Sequence, residues 1–289
     1  MRALLRQICR LVCTVIILCG VGGCNDYDTP KVPDTPDSPP KEDTKEEVGL
    51  PPFNNVNGVL FSARMMSYNV HNCKGTDNIV DYKRIADVIT SHNVEAVAIQ
   101  ELDSMTTRYP NEDVLKNLAE HTKMHHTFGA AINYKGGKYG VGVLTREEPI
   151  SHYTVPLPCS SEPRVLLVVE LKNYYFCCTH FSLVAAYRKE AANIIVEAVQ
   201  NLDKPVIVAG DLNALRSEEP IEILSEHFYV FEKQGIPYTA PSGNPTREID
   251  YICLYKGGGT CVEVNESWVS PIAVLSDHRP VIADLTISQ

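Results

Sequence analysis

Six short, mostly apolar segments each carry a carboxylate, amide or imidazole side chain at one end, and this pattern constrains the fold more than any other feature. They cover residues 65–70, 96–101, 176–180, 206–213, 248–252 and 276–281. In an α/β sheet, functional groups lie at strand ends because the rigid strand positions them and the loop leaves room for a ligand. The pattern therefore predicts a functional site assembled from several strand ends.

From residue 59 onward, the apolar residues alternate between the periodicities of short strands and amphipathic helices. Helices are predicted over residues 81–91, 112–122, 188–201 and 218–227. Strands are predicted over residues 61–70, 94–102, 126–133, 140–145, 152–156, 165–171, 174–180, 205–211, 250–255, 262–269 and 281–287. This order predicts an α/β fold in which two mixed β-sheets pack face to face with helices outside. Since no linker interrupts it, residues 51–289 are expected to form one domain.

The N-terminal region differs from the rest of the chain. Arg2, Arg6 and Arg10 accompany an uncharged apolar run over residues 11–21, which is too short to span a bilayer and is typical of a signal-peptide core. The run ends in Val-Gly-Gly-Cys, which resembles the bacterial lipobox, where the cysteine is acylated. We therefore predict a lipoprotein signal peptide over residues 1–23 and a lipidated Cys24. A plain signal peptide with an incidental cysteine is the alternative.

The segment after Cys24 predicts how the domain is attached. Residues 24–50 are rich in Pro, Asp, Thr, Lys and Glu and cannot bury enough apolar surface to offset their chain entropy. They are expected to form a disordered tether. A lipid anchor followed by a tether predicts a protein of the bacterial cell envelope, held at a membrane by its lipid and facing the periplasm or the cell surface.

Net charge limits the partners of the domain. The chain carries −10, and loss of the three signal arginines makes this −13. The tether, with eight acidic residues and three lysines, accounts for −5 of that, which leaves −8 for the domain. An acidic domain lacks the broad basic face that attracts nucleic acid. A nuclease is still compatible, because a local arginine cluster and a bound metal can attract phosphate.

Taken singly, the polar strand ends have ordinary structural explanations, such as turns and helix caps. Taken together and in this order, they resemble the endonuclease/exonuclease/phosphatase family, which includes DNase I. The most specific segments are Gly-Asp-Leu-Asn at residues 210–213 and Ser-Asp-His at residues 276–278, and the resemblance spans about residues 64–285. It implies a DNase I-like four-layer α/β sandwich and a divalent-metal-dependent hydrolase of phosphate esters.

The resemblance also implies a metal site. Glu101 is the first metal ligand, and Asp277 and Asn69 are candidates near the same ion or a second one. Oxygen ligands of this kind suit a hard cation. Mg²⁺ is the expected ion and Mn²⁺ the alternative.

The catalytic roles follow from the same resemblance. Asp211 is expected to orient and deprotonate the attacking water, and Asn213 to position the phosphate or the water. His180 and His278 would donate hydrogen bonds or protons to the phosphoryl group. Asp250 would fix the tautomer of His278 and raise its basicity.

Four residues near the ends of these segments are candidates for binding substrate. Arg108, Arg164 and Arg247 could bind phosphate bidentately, and ordinary surface ion pairs are the alternative for each. Small members of the family often carry asparagine in the Tyr-Gly turn, whereas this chain has valine after Tyr139-Gly140. Tyr139 is therefore kept only as a candidate pocket residue.

The predicted activity is phosphodiester hydrolysis by a monomer, with nucleic acid ahead of phospholipid or inositol phosphate as substrate. Trp268 is the only tryptophan and lies in a predicted strand, which argues against membrane insertion and a lipid substrate. The alternative from another class is a catalytically inert binding lipoprotein on the same fold. All the expected site residues are present, which argues against inertness.

Cys253 and Cys261 flank a glycine-rich segment at residues 256–259. Strands on either side would form a hairpin with the cysteines opposite each other. The sequence leaves open whether they are two thiols or a disulfide, because strand register cannot be read from it.

Overall fold

The computed structural model describes residues 59–110, 112–257 and 261–288. The predicted signal peptide, the lipidation site Cys24 and the tether lie outside these residues and stay predictions. Among the described residues, no helix is long and apolar enough to cross a membrane.

The described residues contain two six-stranded β-sheets. In spatial order, the first sheet consists of β11 (Cys261–Val269), β12 (Val281–Ser288), β1 (Val59–Asn69), β2 (Ala96–Ser104), β4 (Gly137–Thr145) and β3 (His125–Tyr134). The second consists of β5 (Ser151–Leu157), β6 (Arg164–Glu170), β7 (Tyr175–His180), β8 (Val206–Asp211), β10 (Asp250–Tyr255) and β9 (Phe228–Val230). Both sheets combine parallel and antiparallel pairs, as predicted.

In the described part of the chain, four helices cover the outer faces of the sheets: α1 (Tyr82–Ser91), α2 (Val114–Thr122), α3 (Ala185–Val199) and α4 (Glu219–His227). Asp81 and Asp113 cap the first two by accepting hydrogen bonds from backbone N–H groups three residues later, at 3.0 Å each. One apolar core lies between the sheets, and two more lie under the helix pairs. The central strands β7 and β8 are buried along their whole length, which explains their nearly continuous apolar sequence.

Strand register brings the polar ends to one edge of the sandwich. β1 and β2 run parallel with Asn69 opposite Gln100, and β7 and β8 run parallel with His180 opposite Asp211. β10 runs antiparallel to β8 and begins with Asp250 opposite Asp211. The loop before β12 returns to the end of β1, because Val281 pairs with Ser67.

The predicted elements are confirmed to within a few residues at their ends, and the predicted architecture is confirmed. The short strand β9 and a 3₁₀ turn at His71–Cys73 were not predicted. The predicted hairpin across residues 256–259 is not formed, so that prediction is wrong. β10 pairs with β8 and β9 in one sheet, whereas β11 pairs with β12 in the other. Cys253 is a free, buried thiol on β10.

Candidate active site

Asp211 lies at the centre of the polar cluster and is only 1% exposed. Its Oδ1 accepts a hydrogen bond from the backbone N–H of Asn213 at 2.9 Å, and its Oδ2 accepts one from Asn69 Nδ2 at 3.1 Å. The Nε2 atoms of His180 and His278 lie 3.4 and 3.7 Å from the same Oδ2. Three predicted site residues therefore converge on one carboxylate oxygen.

Local backbone geometry explains why the Gly-Asp-Leu-Asn segment begins with glycine and ends with asparagine. A Cβ atom on Gly210 would lie 2.1 Å from the carbonyl oxygen of Thr179, so only glycine permits this approach of β7 and β8. Asn213 has φ 47°, a left-handed conformation that asparagine tolerates. Its Nδ2 donates to the carbonyl oxygen of Phe181 at 3.1 Å. These contacts fix the backbone that presents Asp211.

Glu101 is directed toward the cluster by a bulge in β2. The register with β4 shifts between Ile99 and Leu102, and Glu101 has φ 61°. Bulges re-aim side chains, and a positive φ outside glycine costs about 1–3 kcal/mol. Asn69 Nδ2 donates to Glu101 Oε1 at 3.0 Å, so one amide group bridges Glu101 and Asp211.

Asn69 is held in this orientation by the backbone. The N–H of His71 donates to Asn69 Oδ1 at 3.1 Å, which turns the amide nitrogen toward the two carboxylates. This geometry supports a positioning role for Asn69. Its predicted role as a metal ligand stays a prediction.

The protonation of His180 follows from its contact with Arg164. The Nη1 atom of Arg164 lies 3.2 Å from His180 Nδ1, and a guanidinium only donates, so Nδ1 is the acceptor. Burial, followed by the positive charges of Arg164 and His278, lowers the pKa of His180 well below its ordinary value. His180 is therefore a neutral imidazole with its proton on Nε2, facing Asp211.

His278 has the opposite electrostatic character. Its Nδ1 donates to Asp250 Oδ2 at 2.9 Å. Burial alone lowers the pKa of His278, but the charge of Asp250, the hydrogen bond to it and the charge of Asp211 together raise the pKa above its ordinary value. His278 is therefore an imidazolium whose Nε2–H also faces Asp211. The two histidines supply one neutral donor and one charged donor.

Asp211 itself is placed to accept a proton. Burial and the negative charge of Asp250 raise the pKa of Asp211, while the charge of His278 and the hydrogen bonds from Asn213 and Asn69 oppose that shift. A carboxylate with a raised pKa is better matched to general-base catalysis near neutral pH than an ordinary aspartate.

Glu101 and Asp277 are the more exposed carboxylates of the cluster. Asp277 Oδ1 lies 3.3 Å from Ser276 Oγ and 3.9 Å from His71 Nδ1, and its side chain is 48% exposed. Within the described part of the chain, Glu101 forms no ion pair with a basic side chain. A carboxylate without a basic partner, such as Glu101, fits a hard divalent cation.

A second, deeper set of ligand atoms is formed by Asp211, Asp250 and His278. These residues are buried, and one oxygen or nitrogen from each lies within 4.8 Å of the others. A hydrogen bond already joins His278 and Asp250, so an ion there would have to replace it. Glu101 requires no such exchange, and we therefore keep it as the first ligand.

The three candidate arginines differ in what they contact. Arg108 donates from Nε and Nη2 to the two carboxylate oxygens of Asp103 at 2.7 and 2.8 Å. Arg164 pairs with Glu162 at 2.6 Å in addition to its contact with His180. The side chain of Arg247 is exposed and makes no hydrogen bond or ion pair with the described residues. Phosphate binding by these arginines stays a prediction.

The residues of the cluster fall within one family model. The model of the endonuclease/exonuclease/phosphatase family matches residues 66–278, which is more than half of the chain and includes every residue from Asn69 to His278. The chain belongs to this family. No curated protein matches it.

Solved structures show the same fold. An endonuclease/exonuclease/phosphatase from Beutenbergia cavernae is 23% identical, with a TM-score of 0.65, and the match covers 78% of this chain and 72% of that one. A family member from Bacteroides vulgatus is 17% identical, with a TM-score of 0.65 and coverage of 78% and 98%. A mannosyl-6-phosphatase from Bacteroides thetaiotaomicron is 17% identical, with a TM-score of 0.61 and coverage of 77% and 98%.

Some contacts of this family member were not visible in its sequence. Ser276 Oγ donates to the carbonyl oxygen of Asn69 at 2.7 Å and so ties the Ser-Asp-His loop to the end of β1. Arg164 reaches His180 because β6 and β7 pair with Leu166 opposite Thr179. Only the sheet register reveals this contact, and no local motif marks it.

Proposed function

We propose that the domain hydrolyses phosphate esters with a divalent cation that Glu101 and Asp277 would hold. The observation that carries the proposal is the convergence of Asn69, neutral His180 and charged His278 on Asp211, beside the carboxylate of Glu101. This arrangement combines a general base, two hydrogen-bond donors and a cation-binding carboxylate within one site.

In the proposed reaction, Asp211 accepts a proton from water as the water oxygen forms its bond to phosphorus. The bond between phosphorus and the ester oxygen breaks, and that oxygen leaves in line with the attack and takes up a proton from solvent water. The N–H groups of His180 and His278 donate hydrogen bonds to the phosphoryl oxygens, which carry more negative charge in the transition state. Asp250 keeps His278 oriented and protonated.

The cation is proposed to be Mg²⁺, with Mn²⁺ as the alternative. When bound, it would neutralise negative charge on the phosphoryl group. Support comes from the donor set, since carboxylate oxygens suit a hard cation and Glu101 has no basic partner among the described residues.

A substrate panel with and without chelator tests this proposal. The panel contains plasmid DNA, RNA, sphingomyelin, inositol phosphates, nucleotides and sugar phosphates, each with Mg²⁺, Mn²⁺ or Ca²⁺. We expect at least one ester to be hydrolysed with Mg²⁺, and EDTA to abolish that turnover because the charge on the phosphoryl oxygens is no longer neutralised. An enzyme that kept its full rate in EDTA would contradict the metal assignment. Absence of turnover on every ester would favour an inert binding protein.

Three observations bear on the substrate class: the family resemblance, one structural neighbour and the contacts of the candidate arginines. A phosphodiester, with nucleic acid first, is the prediction from the family resemblance. The structural neighbour from Bacteroides thetaiotaomicron is a mannosyl-6-phosphatase, which is why phosphate monoesters of sugars belong in the panel. Two of the three arginines predicted to bind phosphate already face carboxylates, Asp103 and Glu162, which gives nucleic acid less support than the sequence alone suggested.

We also propose that the protein is a monomer anchored in the bacterial envelope through Cys24. The variant Cys24→Ser removes the acylated thiol, so the protein is expected to move from the detergent phase to the aqueous phase in Triton X-114 partitioning. Its hydrolytic activity should be unchanged, because the site lies in the separate domain. Partitioning equal to that of the wild type would contradict lipidation, and Cys19→Ser, inside the predicted signal peptide, is the matched control.

A further inference from the structure

A cleft of about 230 Å³ lies among β3, β4 and the loop before β6. Its walls are formed by Arg108, Ile132, Tyr134, Tyr139, Ser161 and Glu162. Drug-sized ligands occupy pockets of about 300–1,000 Å³, so this cleft suits a smaller group such as a single ring.

One wall of the cleft is rigid. Asp103 is fully buried and holds the guanidinium of Arg108 by two hydrogen bonds. The Cζ atom of Arg108 lies 5.2 Å from the ring centroid of Tyr134 and 5.7 Å from that of Tyr139. The two tyrosine centroids are 6.0 Å apart. A wall fixed in this way binds a ligand with little loss of side-chain entropy.

Two links connect the cleft to the site. Tyr139 on β4 lies opposite Asp103 on β2, two residues after Glu101, so this wall of the cleft adjoins the strand end that carries the predicted metal ligand. On the other side, Glu162 pairs with Arg164, whose Nη1 lies 3.2 Å from His180 Nδ1. A phosphate ester bound at His180 and Glu101 would therefore extend its organic group into the cleft.

The charges of the lining residues favour an uncharged ligand group in the cleft. Arg108 is paired with Asp103, and Glu162 is paired with Arg164, so each charged residue of the lining already has a partner of opposite charge. A second phosphate, as in a polynucleotide, would find no unpaired cation among the lining residues. The hydroxyl groups of a ligand could form hydrogen bonds with the tyrosine and serine hydroxyls and with the Glu162 carboxylate. Its ring carbons could pack against Ile132 and the tyrosine rings.

We propose, on the basis of the proposed phosphoesterase function, that this cleft is a specificity subsite for a neutral, hydroxylated ring, and that the substrate is a sugar phosphate monoester. The ring occupies the cleft while the phosphate lies at Asp211 and the histidines. Ser161 and Tyr134 determine which alcohols are accepted and take no part in bond breaking.

The test is to fill the cleft without touching the cluster. Ser161 is exposed, so Ser161→Phe adds a ring at the mouth with little demand on the fold. We expect KM for glucose 6-phosphate to rise about tenfold or more, since the sugar loses its contacts. The value of kcat/KM for methyl phosphate, which has no ring, should stay within about twofold of wild type. Ser160→Phe makes the same change at a neighbouring exposed residue outside the lining and should affect neither substrate.

Tyr134→Ala opens the cleft from the other side and gives an independent variant if Ser161→Phe folds poorly. It should also raise KM for glucose 6-phosphate selectively, whereas Tyr153→Ala, on the exposed face of β5, should not. Calorimetric titration with glucose 6-phosphate measures binding without turnover when both proteins also carry Asp211→Asn, which removes the proposed general base. The affinity of Asp211→Asn for glucose 6-phosphate should exceed that of the Ser161→Phe double variant by the same factor.

The outcomes separate the two proposals. Absence of hydrolysis of every ester, methyl phosphate included, contradicts the proposed function, while calorimetry still tests the subsite. Hydrolysis in which Ser161→Phe leaves glucose 6-phosphate unaffected, or lowers all substrates equally, overturns the subsite. Selective loss with adenosine 5′-monophosphate or an oligonucleotide, but not with glucose 6-phosphate, overturns the assignment to a sugar.

Discussion

Replacing Asp211 with asparagine is expected to lower kcat a hundredfold or more while KM changes little. The amide is nearly isosteric, so it can keep the contact with the backbone N–H of Asn213, but it cannot take a proton from water. A loss of this size corresponds to about 2.7 kcal/mol of transition-state stabilisation, the range measured for single acid–base or electrostatic groups. Steady-state kinetics on the best substrate of the panel measures it.

The matched control makes the same change at the opposite end of the same strand. Asp203 lies just before β8, is exposed, and accepts a hydrogen bond from Tyr175, so Asp203→Asn should leave kcat near the wild-type value. His278→Ala is the companion variant and should also lose a hundredfold or more in kcat, because it removes the charged donor and leaves Asp250 without its partner. If either Asp211→Asn or His278→Ala raised only KM, its assigned role in the chemical step would be wrong.

The sequence predicted the individual strands and helices because their patterns are local. The segment that became β8 is apolar at every position before Gly210, as expected for a strand buried on both faces. Asp81 and Asp113 mark the starts of two helices by capping them. By contrast, the hairpin around residues 256–259 was wrong because flanking strands with a glycine-rich connection do not distinguish pairing with each other from pairing in separate sheets.

The site was predictable as a set of residues but not as a set of contacts. Strand ends placed Asn69, His180 and Asp211 at one edge, and the structure brings them together. The bulge that directs Glu101 is set by the pairing of β2 with β4, across about 40 residues of chain, and no local pattern encodes it. The tautomer of His180 depends on Arg164 in the neighbouring strand. Long-range register determined these features.

The balance of charge at the site supports the proposed cation. Glu101, Asp211, Asp250 and Asp277 are four carboxylates, and His278 is the imidazolium among them. Arg164 contacts His180, but its charge is already paired with that of Glu162. A phosphate ester would add further negative charge to this region. Binding of substrate and binding of a divalent cation are therefore expected to favour each other.

Glu101→Gln is expected to reduce the affinity for Mg²⁺ about tenfold or more without unfolding the domain. The substitution removes one negative charge from a hard-cation site and nearly keeps the shape of the side chain. The glutamine oxygen can still accept the hydrogen bond from Asn69, so the bulge in β2 should persist. Calorimetric titration with Mg²⁺ measures the affinity, and circular dichroism with thermal melting checks the fold.

Glu95→Gln is the matched control, because Glu95 lies just before the opposite end of β2 and pairs with Arg146 at 3.5 Å. It should bind Mg²⁺ like the wild type. An unchanged titration of Glu101→Gln would show that the cation does not use Glu101, and the buried set of Asp211, Asp250 and His278 would then become the leading site. Asp250→Asn distinguishes the two sites. It would abolish Mg²⁺ binding if the buried set holds the cation, whereas it should only weaken the orientation of His278 if Glu101 holds the cation.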